Sequence, residues 1–597
     1  MRTITYFFSA LLVVLASFQS VYATDYFVTV TGAGNNSGDS WENALDRDGL
    51  VSLFDGATLA DGDNVYIGAG TYTTKGSSTG NGDPAKMLYC TTATNIYGGY
   101  PAAGKMGTDI SIEYPTADET IFSGNLQGKA TPDNTCSSTV LYYYTNNAMP
   151  EIKGISFVDC LHGGVNRFKA YNPANTLSNA NSCGALVLER TSATLQWCQI
   201  YNNTTPPATD GSNGANYQGG ALNITGCALV HIKDCIFRNN YAARLGGAIA
   251  IKTSSTVVVE RCLFDQNCLT KEFHGRFGGS IAANGTANCY IVNSTFARAK
   301  YYSNGGALSG DANAVFNIIS STFAENDDYG YTTGSYGYNM RGNNGTTYRL
   351  ANTININNRV DKNGWDYNAD DAYYNRVCGI YCENVSVANI PSKMFFSYSL
   401  MGVSGVKNVH DYATYSGTGN KTEVFYEDIF DKTYDINNIS STSLADNGGF
   451  SMTMAPVVAT YIGTGMPQSE YAELKTLWNI PDNIWNLIDL SVDQRGYIRS
   501  EMETSIGAYD EKAIHPDNFG SSYSKAKIDN DINIKNIGTG KYVFENLDNA
   551  TVTIYNVAGS VILQKNNVKD NDIIDLASYA SGVYLIKADT KTFKVSK

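Results

Sequence analysis

The sequence predicts an all-β protein in which a long parallel β-solenoid is followed by a small antiparallel β-sandwich. Three observations carry this expectation: a recurring Gly-Gly-small-aliphatic step, an apolar anchor at a fixed distance after it, and a switch to unrelated alternating strands near the C-terminus. The step occurs as Gly219-Gly220-Ala221-Leu222, Gly246-Gly247-Ala248-Ile249, Gly278-Gly279-Ser280-Ile281 and Gly305-Gly306-Ala307-Leu308, with a weaker copy at Cys183-Gly184-Ala185-Leu186. Phe237, Phe264, Phe296 and Phe323 each stand 17 residues after the second glycine of a full copy, and Ile200 anchors the weaker one. Three residues beyond the anchors come Asn203, Asn240, Asn267 and Asn326, with Ala299 as the exception. A unit that cannot bury its apolar face alone does so by stacking on its neighbours, and a spacing of 27 to 36 residues suits a three-faced coil.

Each position of the repeat then has a physical reason. Leu195, Ile232, Val259, Ile291 and Ile318 lie five residues before the anchors and form a second apolar column. The glycine pairs suit a sharp turn that needs positive φ or close backbone approach. The asparagine column predicts a side-chain amide ladder along one corner. Lys233 and Glu260 share a column, as do Asp234 and Arg261, so each pair is expected to stabilise neighbouring coils. Asp63 to Thr71 reads as an opening strand, and Tyr471, Leu474, Leu477 and Trp478 fall at helical spacing within Pro467 to Asp489.

Length and composition agree with this architecture. A chain of 597 residues exceeds what one core usually organises. Only 16% of residues are charged while 42 are Tyr and 23 Phe, so the chain is folded rather than disordered. With 42 Lys+Arg against 56 Asp+Glu, the net charge is -14, which argues against nucleic acid or an anionic membrane as partner. Residues 1–23 carry one basic residue, Arg2, an apolar run from Tyr6 to Phe18 and a small-residue exit at Ala23, the pattern of a secretory signal. No later run is long enough to span a bilayer, and a secreted monomer is expected.

Phe237-Arg238-Asn239-Asn240 leading to Gly246-Gly247-Ala248-Ile249 resembles the right-handed parallel β-helix surface proteins with polymorphic-outer-membrane-protein-like repeats. Asp446-Asn447-Gly448-Gly449, Asp493-Gln494-Arg495-Gly496 and Ile506-Gly507-Ala508-Tyr509 resemble the closing stretch of such helices in large exported proteins. The resemblance implies a pectin-lyase-like coil that serves enzymes and non-enzymes alike. Residues 528–597, with the Tyr555 to Gly559 turn and the Gly582-Val583-Tyr584 strand, resemble the C-terminal sorting domain of type IX secretion. That similarity implies the type IX machinery as partner and delivery across an outer membrane to the cell surface or beyond. The expected organisation is a signal at 1–23, a β-helix over 24–512, a linker at 513–527 and an Ig-like sorting domain over 528–597.

Chemistry is sparser. The 12 cysteines permit disulfides in an exported chain, yet Cys198, Cys235 and Cys262 fall two before their anchors and suit a packed column of thiols equally well. Cys378 and Cys382 lack the companions of a zinc site, and no metal or cofactor is expected. Arg244 and Arg276 sit three residues before the second glycine of successive repeats, and the corner beside them adds Lys271, Glu272 and His274. Such a basic ledge suits an anionic polysaccharide, and one of its bases suits proton abstraction in a lyase. Trp365 and Tyr373 crowd an acidic loop that suits sugar stacking. The expectation is a non-enzymatic adhesin or glycan-binding protein with polysaccharide or host-surface ligands; the alternative is a polysaccharide lyase.

Overall fold

The computed structural model describes residues 23–56, 58–74, 87–131, 136–137, 139–161, 184–205, 219–269, 278–301, 307–328, 339–356, 380–382, 393–402, 406–407, 413–416, 419–424, 426–430, 442–516, 533–538, 540–545, 550–556, 560–569, 572–580, 582–588 and 591–597. Two compact units divide the chain, residues 1–513 and 514–597. The signal at 1–23 therefore lies outside the described residues except for its last position, and so does most of the linker.

In the first unit, successive strands return to the same place on every turn. One coil runs Leu222–Thr225, Val230–Lys233, Ile236–Arg238 and Tyr241–Ala242, and the next begins in register with Leu222 opposite Ile249. Stacking produces a first sheet of 12 parallel strands, which includes Val230–Lys233, a second of 10 with Leu222–Thr225, and a third of 11 with Ile236–Arg238. A short fourth sheet of 5 strands lines one corner.

Alternation along each strand sends every second side chain inward. Leu195, Ile232, Ile291 and Ile318 are fully buried in one column. Phe237, Phe264, Phe296 and Phe323 stack ring on ring, with centroids 4.8, 4.4 and 4.5 Å apart. Corners are tightened by left-handed backbone at matched positions. Trp197, Asp234, Arg261, Asn293, Ser320 and Asn352 all have φ near +50° where the first sheet hands over to the third. Gly246 adopts φ +61°, whereas a Cβ on Gly247 would strike the carbonyl oxygen of Gly279 on the next coil. The two glycines thus answer different needs, one conformational and one of space.

The asparagine column forms a buried ladder. Asn203 Nδ2 donates to Asn240 Oδ1 and Asn240 Nδ2 to Asn267 Oδ1, both at 3.0 Å. Each amide also donates to a carbonyl of the preceding coil, such as Asn267 Nδ2 to Phe237 O at 2.9 Å. Ala299 interrupts the ladder, and its N–H still donates to Asn326 Oδ1.

Helix Arg47–Asp55, capped by the Asp46 carboxylate on Gly49 N–H, packs Leu50, Val51, Leu53 and Phe54 onto the first coils. At the other end, residues 442–510 run back over the outer surface. Helix Gln468–Leu477 places Tyr471, Leu474 and the following Trp478 against Val258, Tyr290, Val292 and Ile319 of the first sheet. Leu477 departs from the helical stripe expected of it and is exposed, because its position faces away from that sheet. Arg499, fully enclosed, donates to Asn293 Oδ1 at 3.1 Å and Gly507 O at 2.9 Å. Asp493 holds Arg495 through both carboxylate-facing nitrogens, and Arg495 lies between the Tyr497 and Tyr509 rings at 4.2 and 3.9 Å.

The second unit is a small antiparallel sandwich. Asn533–Gly538, Lys541–Glu545 and Ile573–Asp575 form one sheet; Val561–Val568, Ala550–Asn556, Val583–Ala588 and Lys591–Ser596 form the other. Phe544, Val552, Ile554, Leu576 and Ile586 fill its core. Lys597 N–H donates to Gly582 O at 2.9 Å, which ties down the last strand.

Candidate functional site

The outer face of the first sheet is covered at both ends, and between the covers its outward side chains are half-buried, apart from the buried His231. Towards the N-terminus, Phe27, Trp41, Tyr66 and Tyr100 form an aromatic cluster under residues 101–119, with Tyr100 donating to Ile110 O and Trp41 Nε1 to Asp109 O. The same segment lays Tyr114 flat on Trp197, with ring centroids 4.8 Å apart and planes 4° from parallel. Towards the C-terminus, the cover begins at Glu260, whose Oε1 accepts Asp489 N–H at 3.1 Å.

Three coils remain between these walls. Register places Glu151, Thr194 and His231 in one outward column, and Lys153, Gln196 and Lys233 in the next. The result is a strip of carboxylate, ammonium, hydroxyl, amide and imidazole groups repeating at about the 4.8 Å strand spacing. Lys153 Nζ lies 3.0 Å from Glu151 Oε2, which also accepts the Tyr97 hydroxyl at 2.8 Å. Burial, then the Glu151 contact, pushes the Tyr97 hydroxyl well above its ordinary value.

At the far wall the charges converge. His231 Nε2 lies 2.9 Å from Glu260 Oε2 and Lys233 Nζ 3.5 Å from the same oxygen. Arg261 reaches Glu260 Oε1 at 3.3 Å and Asp234 Oδ1 at 2.7 Å, while Gln196 Nε2 donates to Asp234 Oδ2 at 3.3 Å. Burial works to raise the Glu260 carboxyl, but the His231 hydrogen bond and the Arg261 and Lys233 charges hold it below its usual value. For Arg261, burial works to lower the guanidinium, and the two carboxylates beside it more than offset that.

Around the corner from the strip, where the second sheet turns into the first, lies a groove of about 370 Å³. Asn147, Glu189, Arg190, Thr225, Thr253 and Ser254 border it. Strand Leu186–Glu189 enters this corner, Arg190 takes φ +45°, and strand Ala193–Gln196 leaves it for the strip.

The basic ledge expected from sequence is only partly within view. Arg244 is half-buried after the short strand Tyr241–Ala242, whereas Arg276, Lys271 and His274 lie outside the described residues. Trp365, Tyr373, Gly306 and Cys378 also lie outside them. The strip was missed because Lys233, Glu260, Asp234 and Arg261 read as coil-to-coil ion pairs, which they are. His231 lies two residues before Lys233 and so shares its face, and that spacing was the available signal. Among the described residues, no group of three or more His, Cys, Asp or Glu is placed to hold a metal ion, and no helix is long and apolar enough to cross a membrane.

Stacked parallel sheets followed by a small antiparallel sandwich define a β-helix protein. Residues 140–345 match the family described as right handed beta helix region, and residues 528–597 match the secretion system C-terminal sorting domain. No curated protein gives a match to the chain. The chain thus carries a right-handed parallel β-helix and a type IX sorting domain, which directs it through the type IX machinery to the cell surface or extracellular space.

Proposed function

We propose that this protein is a non-enzymatic surface adhesin that binds a glycan along the strip of the first sheet that lies between its two covers. The observation that carries the reading is the bounded run of three coils presenting Glu151, Lys153, Thr194, Gln196 and Lys233 between two covered ends. Hydroxyl-rich ligands need alternating donors and acceptors at repeating intervals, and the coil supplies one rung per strand. Trp197 adds an aromatic border. Delivery outside the cell places the strip where surface and environmental polysaccharides are found.

A second reading, carbohydrate cleavage, is favoured by one geometry: His231, Lys233 and Glu260 meet within hydrogen-bonding reach at the end of the same strip. One experiment separates the two. The full chain is applied to immobilised polysaccharides, and retention and new chain ends are scored together. Retention without new ends, weakened about tenfold or more by Lys153→Ala with Lys233→Ala, supports the adhesin. New ends that vanish in His231→Gln would replace it with the enzyme, and no retention on any glycan would reject both.

A further inference from the structure

The corner groove differs chemically from the strip. Its floor is made by three successive turns that place Arg190, Gly226 and Thr253 at equivalent positions on stacked coils, with Thr225 one residue before that rung and Ser254 one residue after it. Several of their polar atoms are already oriented. The Thr225 hydroxyl donates to Asn223 Oδ1 at 3.1 Å and the Thr253 hydroxyl to Lys252 O at 2.6 Å, so both oxygens keep lone pairs for an incoming hydroxyl. Ser254 Oγ accepts from Thr286 at 3.0 Å, which leaves its own hydrogen to donate. Asn147 is fixed by Ala228 N–H donating to its Oδ1 at 3.0 Å.

The two charged residues of the groove are not equivalent. Glu189 is buried, 2% exposed, and its Oε2 accepts the Tyr142 hydroxyl. Arg190 is exposed, and among the described residues its side chain donates one hydrogen bond, from Nη1 to the Tyr144 hydroxyl at 3.3 Å. The carboxylate is therefore engaged inside the wall, while the guanidinium borders the open volume. A planar guanidinium pairs with a carboxylate through two parallel hydrogen bonds, a geometry that ammonium groups do not offer.

We propose that this groove is a subsite for a carboxylate-bearing sugar, a uronic acid residue whose carboxylate pairs with Arg190 and whose hydroxyls meet Thr225, Thr253 and Ser254. The proposal rests on the glycan-binding reading, because the groove lies at the corner from which strand Ala193–Gln196 leaves for the strip. It deepens that reading by assigning the class of sugar and the residue that selects it.

The test is calorimetric titration of the full chain with a glucuronic acid oligosaccharide and with its methyl ester, which removes the charge and keeps the ring hydroxyls. Wild type is expected to bind the acid about tenfold more tightly, a preference that shrinks with added salt. Arg190→Gln is expected to bind both forms equally and as weakly as wild type binds the ester. Arg190→Lys, which keeps the charge without the fork, is expected to fall between them. Equal binding of both forms by wild type, or a preference surviving in Arg190→Gln, overturns the subsite while leaving glycan binding intact. Binding of neither form by wild type, together with no retention on neutral polysaccharides, overturns the glycan reading itself.

Discussion

Cys262 and Ser294 occupy the same rung on adjacent coils and make the same bond. Cys262 Sγ donates to Glu260 O, two residues earlier, at 3.3 Å, and Ser294 Oγ donates to Val292 O at 2.8 Å. They also touch through the backbone, Cys262 N–H donating to Ser294 Oγ at 3.1 Å. The rung continues below as Cys198 and Cys235 and above as Ser321, Thr353 and Ser399, each bonded to the carbonyl two residues before it. Thiol and hydroxyl are interchangeable here because the corner asks for a small donor rather than for sulfur chemistry. Cys90, Cys160, Cys198, Cys227, Cys235, Cys262 and Cys289 are buried free thiols.

Cys262→Ser should therefore cost no more than about 1 kcal/mol in a denaturant titration, since the donor is retained and little volume is lost. Cys262→Leu should cost about 1–3 kcal/mol or more, because the corner is closely packed. A serine variant as damaging as the leucine variant would show that sulfur matters.

The gap in the asparagine ladder is correctable. Ala299→Asn should add about 1 kcal/mol of stability by offering Asn267 an acceptor of the kind Asn240 finds in Asn267. Asn267→Ala should do the reverse, by about 2–3 kcal/mol, since it strips a fully buried amide that accepts from Asn240 and donates to Phe237 O. Thermal melting of both variants checks the pair.

Gly247→Ala should destabilise the coil by more than about 3 kcal/mol, as the added methyl meets the Gly279 carbonyl and neither backbone can yield without shifting its coil. Equilibrium unfolding measures it, and a cost no greater than that of an exposed glycine replacement would mean that the coils are spaced more loosely than described.

Acid sensitivity should trace partly to Glu260. Its carboxyl is held below the ordinary 4.5 in the folded protein, so ionisation stabilises the fold above that value. The contribution is lost as pH falls through the lower folded-state value, when the carboxylate that bonds His231 and Asp489 N–H takes up a proton. Unfolding measured from pH 6 downward should steepen below 4.5 in wild type and less so in Glu260→Gln.

Removing residues 528–597 should leave the solenoid unit inside the cell envelope, because that segment carries the sorting domain. Fractionation of cells expressing the truncated chain provides the readout, and undiminished surface delivery would refute the assignment.

The coil was legible because its register is written in identical residues at identical offsets. Phe237, Phe264, Phe296 and Phe323 stack in the order their spacing implies. The strip was not legible, because what makes it a site is which coils stay uncovered. That depends on Tyr114 reaching Trp197 and Asp489 reaching Glu260, contacts separated by long stretches of sequence and announced by no periodicity. Arg190 was hidden for a related reason: a lone arginine at a turn signifies little until stacked turns of Thr225 and Thr253 build a floor beside it.

The strap at residues 442–510 changes how the whole stack behaves. A column of coils touching only their neighbours is a one-dimensional array, free to nucleate anywhere and to fray from either end. Here Gln494 holds Thr295, Arg499 holds Asn293 and Asp489 holds Glu260, across 199, 206 and 229 residues of sequence. Those fasteners exist only after the last stretch of the unit has been made and laid back over coils formed much earlier. Melting one middle coil must then also release the strap, and an array that would unravel rung by rung becomes one in which these coils are kept or lost together.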